Sequence, residues 1–290
     1  MAARYEVQEV VQARNSLGEG VLWSAREGLV YWTDIEGQAM WTYDPAARRT
    51  TTTKLETGIC SFAFRAGGGL LVAETSGLAT YDPKSGNVRK LCEIVGGTDG
   101  VRLNDGRCDR QGRFVVGELD GQHKKRARVF ITDRGLEPRK ILDGIATSNS
   151  TCFSLDGKTM YFADTPERVI WSFDYDPDDG TPSKRRVFCD LHDQPGRPDG
   201  STIDAEGFLW NAQWDGSRVV RWDPKGRIDR IIELPCRFPT CMAFGGENLN
   251  VLYVTSARKS GPSGAPGDAD GSLFAVELSV RGLPETDFLG

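Results

Sequence analysis

The chain has 290 residues and a formal net charge of −5, and its residues are 39 % hydrophobic and 27 % charged. This is the composition of an ordinary globular protein that is long enough to bury a large core. No segment approaches about 18 continuous apolar residues, so the sequence predicts no membrane span, and the isolated basic stretch HKKRAR (123–128) predicts a solvated loop and no nucleic-acid partner.

Cysteines and histidines narrow the possible chemistry further. The seven cysteines are an odd number and include no C-x-x-C pair, which predicts reduced thiols in a cytoplasmic protein and argues against a structural zinc site. The N-terminal stretch MAARYEVQEVVQ is too polar for a signal peptide. Only two histidines occur, His123 and His192, so a histidine-rich metal cage is excluded, and both are expected at the surface.

One unit recurs six times along the chain, with a period of about 40 to 50 residues. Each unit opens with a glycine-containing turn, followed by a short strand rich in Tyr, Trp, Phe and Val. In chain order these strands are LVYWTD (29–34), LLVAET (70–75), RFVVGE (113–118), TMYFADT (159–165), FLWNAQW (208–214) and VLYVTSA (251–257). The strands that come next are AMWTYDP (39–45), GLATYDP (77–83), RVFITD (128–133), VIWSFDYDP (169–177), VVRWDP (219–224) and SLFAVEL (272–278).

This organisation predicts an all-β protein, a six-bladed β-propeller that forms a single domain over residues 1–290. A fourth, shorter strand is expected after each third strand, for example in RRVFCDL (185–191), and four short strands per unit at this spacing are typical of a propeller. No segment has convincing 3.6-residue periodicity, which disfavours alternating strands and helices. The Gly/Pro-rich stretch 259–271 is expected to be a loop inside the last blade, and it and 117–128 are the candidate specificity loops.

Polar residues occupy the same position in four of the six units. Asn104, Asn149 and Asp199 each lie eight residues before a turn glycine, and Glu19 lies nine before its own, an offset that a β-bulge can absorb. The other two units place Cys60 and Thr240 there. Because the first strand of each blade borders the central channel, these side chains are expected on one ring.

Two carboxylates facing each other across a narrow channel repel, and a hard divalent cation would relieve that repulsion. The alternative is that Asn and Asp before Gly simply form turns. The shared position of all four residues favours a binding site.

Several motifs together resemble the senescence marker protein/regucalcin and gluconolactonase family. They are LGEGVLW, RLNDG, SNST, PDGSTIDAEGFLW and FGGEN, and the resemblance runs in order from about residue 15 to residue 278. It implies a six-bladed propeller that hydrolyses sugar lactones and holds one divalent cation, such as Ca²⁺, Zn²⁺, Mn²⁺, Mg²⁺ or Fe²⁺, in the central channel. Carried onto this sequence, it implies that Glu19, Asn149 and Asp199 bind the metal, that Asp199 is also the general base, and that Arg102 and Asn104 bind substrate.

The sequence departs from the family pattern at two positions. Ser150 follows the asparagine of the SN motif where the family usually has glycine, and Glu118 stands where a small polar residue is usual. We predict that Glu118 contacts substrate hydroxyls. A third acid near the metal and a paired surface group are the alternatives for it.

Three functions are compatible with these residues. The first is a divalent-metal-dependent lactonase that opens a glucono-, xylono-, arabino- or related lactone to the aldonic acid. The second is a non-catalytic propeller scaffold that binds a divalent cation. The third is a hydrolase of other esters or phosphotriesters that resembles paraoxonase, which is disfavoured because neither histidine lies at the ring position. The lactonase is the function we predict, and no oligomeric state is predicted.

Overall fold

The computed structural model describes residues 5–260 and 264–290, and within them the strands form six four-stranded antiparallel sheets. These sheets are the blades of a six-bladed β-propeller, so the predicted fold class is confirmed. A single turn of 3-10 helix, Thr165–Glu167, is the only helix among the described residues. In this part of the chain no helix has the length and apolar character needed to cross a membrane.

The chain divides into two compact units of three blades each. The first unit contains the described residues up to Gly58 together with Asp193–Pro284. From the innermost strand outwards, blade 1 is β2 (Gly18–Ser24), β3 (Leu29–Asp34), β4 (Ala39–Asp44) and β5 (Arg49–Lys54). Blade 5 is β18 (Arg197–Ile203), β19 (Leu209–Trp214), β20 (Arg218–Trp222) and β21 (Ile228–Glu233), and blade 6 is β22 (Phe238–Gly245), β23 (Val251–Ala257), β24 (Leu273–Glu277) and β1 (Val7–Val11).

The second unit contains Ile59–His192 and Glu285–Gly290. Its blade 2 is β6 (Ile59–Phe64), β7 (Leu70–Glu74), β8 (Gly77–Tyr81) and β9 (Val88–Glu93). Blade 3 is β10 (Val101–Cys108), β11 (Phe114–Asp120), β12 (Ala127–Thr132) and β13 (Arg139–Ile145), and blade 4 is β14 (Ser148–Phe153), β15 (Thr159–Asp164), β16 (Val169–Tyr175) and β17 (Pro182–Asp190).

The sixth blade differs from the prediction in its outermost strand. We expected a fourth strand after each third strand, but after β24 the chain forms no further strand, and β1 from the N-terminal part pairs with β24 instead, with Val7 opposite Val276. That part of the prediction is wrong because repeat counting treats every blade as one continuous segment. Pairing with β1 fills the free edge of β24.

Buried aspartates shape the turns between the first and second strands. Asp204 accepts hydrogen bonds from the backbone N–H groups of Glu206 (2.9 Å) and Phe208 (3.0 Å), and from the indole of Trp210 (2.9 Å). Gly207 closes this turn with a φ of +81°, a conformation that glycine adopts without steric cost. The contacts of Asp204 therefore identify it as a turn residue, unlike Asp199, which lies in the inner strand β18.

Apolar side chains from neighbouring sheets fill the space between blades. In the second unit, side chains of blades 3 and 4 form one such cluster, which contains Val115, Ile131, Phe153, Met160 and Phe173, all buried. In the first unit, similar clusters join blade 5 to blade 6 and blade 6 to blade 1. This packing holds blade 3 against blade 4, blade 5 against blade 6 and blade 6 against blade 1.

One of the two predicted loops is shorter than expected. Of segment 117–128, the first four residues belong to β11 and the last two to β12, so the loop itself is 121–126. The basic stretch HKKRAR is therefore only partly a solvated loop, because it ends inside a strand. The segment 259–271 connects β23 to β24 as predicted, and its residues 261–263 lie outside the described residues.

Candidate functional site

In every blade, the ladder between the first two strands changes register at the predicted ring position. A β-bulge of this kind takes residues off the ladder and re-aims their side chains, and bulges are common beside active sites. Cys60, Asn104, Asp199 and Thr240 lie inside the interrupted stretches, and Glu19 and Asn149 are the last paired residues before theirs. The register shifts fall between Glu19 and Leu22, Ile59 and Ser61, Leu103 and Gly106, Asn149 and Cys152, Pro198 and Ser201, and Pro239 and Met242.

The structure brings three predicted site residues of the second unit into one hydrogen-bonded series. Arg102 Nη1 donates to Asn104 Oδ1 at 2.7 Å, and Asn104 Nδ2 donates to Asn149 Oδ1 at 3.1 Å. Arg102 Nη1 also lies 3.7 Å from the sulfur of Cys60. Cys60, Asn104 and Asn149, at the ring positions of blades 2, 3 and 4, are therefore connected through Arg102, although they are spread over 90 positions of sequence.

The orientation of the Asn149 amide is fixed from both sides. Its Nδ2 donates to Thr165 Oγ1 at 2.8 Å, and its Oδ1 faces the amide of Asn104. Ser150, which replaces the glycine that is usual in the family, has a φ of +59°. This left-handed conformation is strained for a residue with a Cβ atom, which explains why glycine suits the position.

Asp105 ties blade 3 to blade 4 beside this series. Its Oδ2 accepts a hydrogen bond of 2.8 Å from the backbone N–H of Thr151, which lies inside the bulge of blade 4. Burial raises the pKa of Asp105, partly offset by that hydrogen bond. This contact holds the bulge that follows Asn149 in place.

In the first unit, Glu19 and Asp199 lie on strands that both pack against β22. Glu19 Oε2 accepts a hydrogen bond from Gly20 N (3.2 Å), and Asp199 is 5 % exposed. Thr240, at the ring position of β22, donates its hydroxyl to the carbonyl of Gly18 at 2.5 Å. The glycine after Asp199 permits the close packing, because a Cβ on Gly200 would lie 2.8 Å from the carbonyl oxygen of Thr240.

Glu118, the remaining predicted residue, is engaged by an arginine. Its carboxylate is fully buried and accepts two bonds from the Arg128 guanidinium, Nη2 to Oε1 at 2.6 Å and Nε to Oε2 at 2.9 Å, and one from the Arg128 backbone N–H at 2.8 Å. Glu118 is thus a paired group, as one alternative held, but in the interior rather than at the surface. Its contact with substrate stays a prediction, and any such contact competes with Arg128.

A second acid–arginine pair organises the loop 121–126. Asp120 accepts backbone hydrogen bonds from Gln122 (3.0 Å) and Lys124 (3.0 Å) and a side-chain bond from Arg126 Nη2 (2.6 Å). Arg126 also donates to the carbonyl of Asp99 (3.0 Å), in the segment that leads into β10 and Arg102. Arg126 of the HKKRAR stretch therefore links the loop 121–126 to the segment around Asp99. This part of the stretch has a structural role and is not simply a solvated loop.

Sequence reasoning missed two buried aspartates beside the site. Asp34 and Asp164 end the second strands of blades 1 and 4 and accept hydrogen bonds from the segments that lead into Glu19 and Asn149. The signal lies at the ends of the two strands, LVYWTD and TMYFAD, each of which closes an otherwise mainly apolar segment with a carboxylate.

Neither histidine takes part in these contacts. His123 lies exposed in the loop 121–126, and exposed His192 pairs with Asp190 at 2.6 Å. Within residues 5–260 and 264–290, no group of three or more His, Cys, Asp or Glu side chains is arranged to hold a metal ion. A set of two carboxylates and one amide oxygen, as predicted for Glu19, Asp199 and Asn149, is a different kind of donor set, and its oxygens suit a hard divalent cation.

Comparison with known proteins identifies the family. The SMP-30/gluconolactonase/LRE-like region matches residues 17–258. The chain is 35 % identical to a 6-deoxy-6-sulfogluconolactonase of Pseudomonas putida, covering 97 % of this chain and 98 % of that one, and 38 % identical to an L-arabinolactonase of Azospirillum brasilense, covering 97 % and 95 %. A calcium-binding protein, regucalcin, from Agrobacterium tumefaciens has the same fold with a TM-score of 0.92, 28 % identity and 99 % of each chain covered. The protein therefore belongs to the SMP-30/gluconolactonase/LRE-like family.

Proposed function

We propose that this protein hydrolyses a sugar lactone to the open-chain aldonic acid. The proposal is supported by its full-length similarity to a 6-deoxy-6-sulfogluconolactonase and an L-arabinolactonase. The observation that carries it is the hydrogen-bonded series Arg102, Asn104 and Asn149, because it gathers a guanidinium and two amides on the inner strands β10 and β14. Such groups suit the hydroxyls of a sugar ring. We also propose a cytoplasmic location, which rests on the odd number of cysteines and the lack of a C-x-x-C pair in the sequence.

We further propose that one divalent cation is held by Glu19, Asn149 and Asp199. Each supplies an oxygen at the equivalent bulge of its own blade, and the Asn149 amide is fixed by Thr165. Carboxylate and amide oxygens are the ligands that Ca²⁺, Mg²⁺ and Mn²⁺ prefer, and Zn²⁺ and Fe²⁺ are the other candidates. The similar regucalcin structure is named as a calcium-binding protein.

When bound, the cation supplies a Lewis acid that polarises the lactone carbonyl. Asp199 takes a proton from the attacking water as the water oxygen bonds to the carbonyl carbon. The ring C–O bond then breaks, and the departing oxygen receives the proton from Asp199, which gives the hydroxy acid. Arg102 and Asn104 hold the sugar hydroxyls, and the arginine does so with a planar fork of directed donors that lysine lacks.

A panel of lactones tests this function. Purified protein is assayed by pH-stat on glucono-, xylono-, arabino- and 6-deoxy-6-sulfogluconolactone, before and after treatment with chelator and after each cation is added back. We expect acid release above the spontaneous rate for at least one lactone, its loss with chelator and its return with one or more cations. Undiminished turnover in a protein shown to be free of metal would contradict the role of the cation.

The variant Asp199→Asn tests the general base. The amide cannot take up the proton of the attacking water, so we expect kcat to fall by about 10²- to 10⁴-fold while the protein stays folded. Asp193→Asn, the same substitution at an exposed position before β18, is the matched control and should leave kcat unchanged. Normal lactone turnover by the Asp199 variant would show that another group is the base.

The second candidate is a non-catalytic cation-binding protein, which the description of the similar regucalcin structure favours. The two functions differ in a simple measurement. Calcium binding without acid release from any lactone of the panel would support the second candidate.

A further inference from the structure

One position of the second strand is polar in all six blades. In each blade, it is the second-strand residue that pairs with the inner-strand residue directly before the ring position. We refer to it as the opposite position. Four of the six side chains there are acids. The residues are Asp34, Glu74, Glu118, Asp164, Gln213 and Ser256, paired with Gly18, Ile59, Leu103, Ser148, Pro198 and Pro239.

In blade 1, the acid at the opposite position holds the segment that leads into the inner strand. Asp34 accepts hydrogen bonds from the backbone N–H groups of Ser16, to Oδ2 at 2.9 Å, and Leu17, to Oδ1 at 3.0 Å. The backbone N–H of Ile35 returns to the carbonyl of Leu17 at 3.0 Å. The two held residues come three and two positions before Glu19.

Blade 4 has the equivalent three hydrogen bonds. Asp164 accepts hydrogen bonds from Ala146, to Oδ2 at 3.0 Å, and Thr147, to Oδ1 at 2.8 Å. The backbone N–H of Thr165 returns to the carbonyl of Thr147 at 3.0 Å. These held residues come three and two positions before Asn149, the same offsets as in blade 1.

In blades 1, 3, 4 and 5, the direction in which the side chain at the opposite position turns follows the nature of its third-strand neighbour. In blades 1 and 4 it faces a small or apolar residue on the third strand, Ala39 or Val169, and the acid turns to the inner strand. In blade 3 the nearby third-strand residue is Arg128, and Glu118 bonds to it instead. Blade 5 behaves like blade 3, because Gln213 accepts a hydrogen bond from Arg218 at 2.8 Å. The arrangement of blades 1 and 4 therefore depends on a particular pair of neighbours.

We propose that Asp34 and Asp164 are positioning residues that fix the backbone before Glu19 and Asn149 and so place both side chains as cation ligands. The inference rests on the function proposed above, since it assumes that these two residues bind the cation. Two of the three proposed ligands follow a segment held in this way, and the arrangement has the same donors at the same offsets in both blades.

Asp34 also accepts a hydrogen bond from the backbone N–H of Gly37, in the turn after β3, at 2.9 Å, so it shapes that turn as well. Its bonds to the segment before Glu19 are additional to this turn contact. Both aspartates are buried, at 7 % and 2 % exposure, so their bonds to backbone N–H groups are shielded from competing water. Bonds from N–H to an ionised carboxylate are stronger than those between neutral groups. Replacing one carboxylate oxygen by an amide NH₂ turns an acceptor into a donor that faces an N–H group, so the segment must shift. A shift two residues before a ligand moves the ligand oxygen out of place.

The test is cation affinity measured directly, without substrate. Wild-type protein, Asp34→Asn and Asp164→Asn are stripped with chelator and titrated calorimetrically with CaCl₂, MnCl₂ and ZnCl₂, and their unfolding temperatures are recorded in chelator. We expect each variant to bind the cation about 10- to 100-fold more weakly than wild type, the range seen when groups supporting metal ligands are removed. Asp34→Glu, which lengthens the side chain as in blade 3, should give an intermediate loss.

Matched controls separate placement from general stability. Asp204→Asn and Asp109→Asn remove buried carboxylates that also accept two backbone N–H bonds each, but in turns at the far ends of inner strands. They should lower the unfolding temperature without weakening cation binding. Each aspartate lies in its own blade, so loss of folding in one variant leaves the other as the test.

The outcomes distinguish the two proposals. If wild type binds none of the three cations, the proposed metal site is wrong and this inference falls with it. If wild type binds a cation and the folded Asp34 and Asp164 variants bind it equally well, the positioning role alone is wrong. Failure of both variants to fold would also overturn it, because a positioning residue must be separable from the fold.

Discussion

Blades 3 and 4 carry an acid at the same place in the ladder, yet the two acids hold different strands. Asp164 of blade 4 accepts backbone N–H groups ahead of its own inner strand, and the second strand ends at that residue. Glu118 of blade 3 is longer by one methylene and bonds to Arg128, and its strand continues for two more residues to Asp120. One methylene group and one arginine thus change which part of the blade is fixed.

The difference shows how a repeated fold assigns separate tasks to equivalent positions. Blade 4 uses its acid to hold the backbone near a proposed cation ligand. Blade 3 uses two acids, Glu118 and Asp120, to bind Arg128 and Arg126, which in turn donate to the carbonyls of Ile94 and Asp99. Those carbonyls lie in the segment that precedes Arg102, so blade 3 uses its acids to hold the segment before a proposed substrate-binding residue.

The largest effect is expected from breaking the ion pair of blade 3. Arg128→Ala leaves the fully buried Glu118 carboxylate without its guanidinium, so we expect the free energy of unfolding to fall by about 3 kcal/mol. This is the lower end of the range for buried pairs, because the Arg128 side chain is 35 % exposed. Urea denaturation measures the change.

The double variant Glu118→Gln/Arg128→Met is the control for that prediction. It removes the buried charge together with its partner and should recover much of the lost stability. A loss in Arg128→Ala no greater than that of Asp164→Asn, whose carboxylate binds only neutral N–H groups, would contradict the contrast between the two blades.

A smaller effect, dependent on pH, is expected at Asp120. Hydrogen bonds from Arg126 lower the pKa of Asp120 from its usual value of 3.8. The unfolded state therefore takes up a proton at a higher pH than the folded state. The stability that Asp120 contributes is fully present well above pH 3.8, and it is lost progressively as the pH falls from about 5, past 3.8, towards the lower pKa of the folded state.

Asp120→Asn removes this titration. Urea midpoints measured from about pH 6 to about pH 3 should fall less steeply for the variant than for wild type. Parallel curves would show that the carboxylate does not anchor the loop 121–126 in its ionised form.

Local pattern and spacing were enough to predict much of the fold. The predicted strands at 29–34 and 251–257 coincide with β3 and β23, because each is a run of apolar, aromatic and β-branched residues that follows a glycine-containing turn. The six ring positions predicted from the repeat all fall at register shifts of the inner strands, although the sequence indicated a bulge only near Glu19. Such counting is reliable in a regular repeat, because each blade is a four-stranded sheet whose first three strands follow one another in chain order from the inside outwards.

The parts that sequence could not supply depend on contacts between distant segments. The direction in which Glu118 turns is set by Arg128 on the next strand, and nothing in the local pattern around Glu118 shows it. The role of Asp34 appears only when its oxygens are seen to meet Ser16 and Leu17. Pairing of β1 with β24 likewise joins segments that no repeat count connects.

That pairing has a consequence for synthesis of the protein. Glu9 and Ser272, whose side chains hydrogen-bond, are 263 positions apart, so the ribosome makes β1 long before its partner strand exists. During that interval β1 is an unpaired edge exposed to other nascent chains. Its solvent-exposed Gln8 and Glu9 discourage such pairing, and the last sheet can assemble only when translation has passed Glu277.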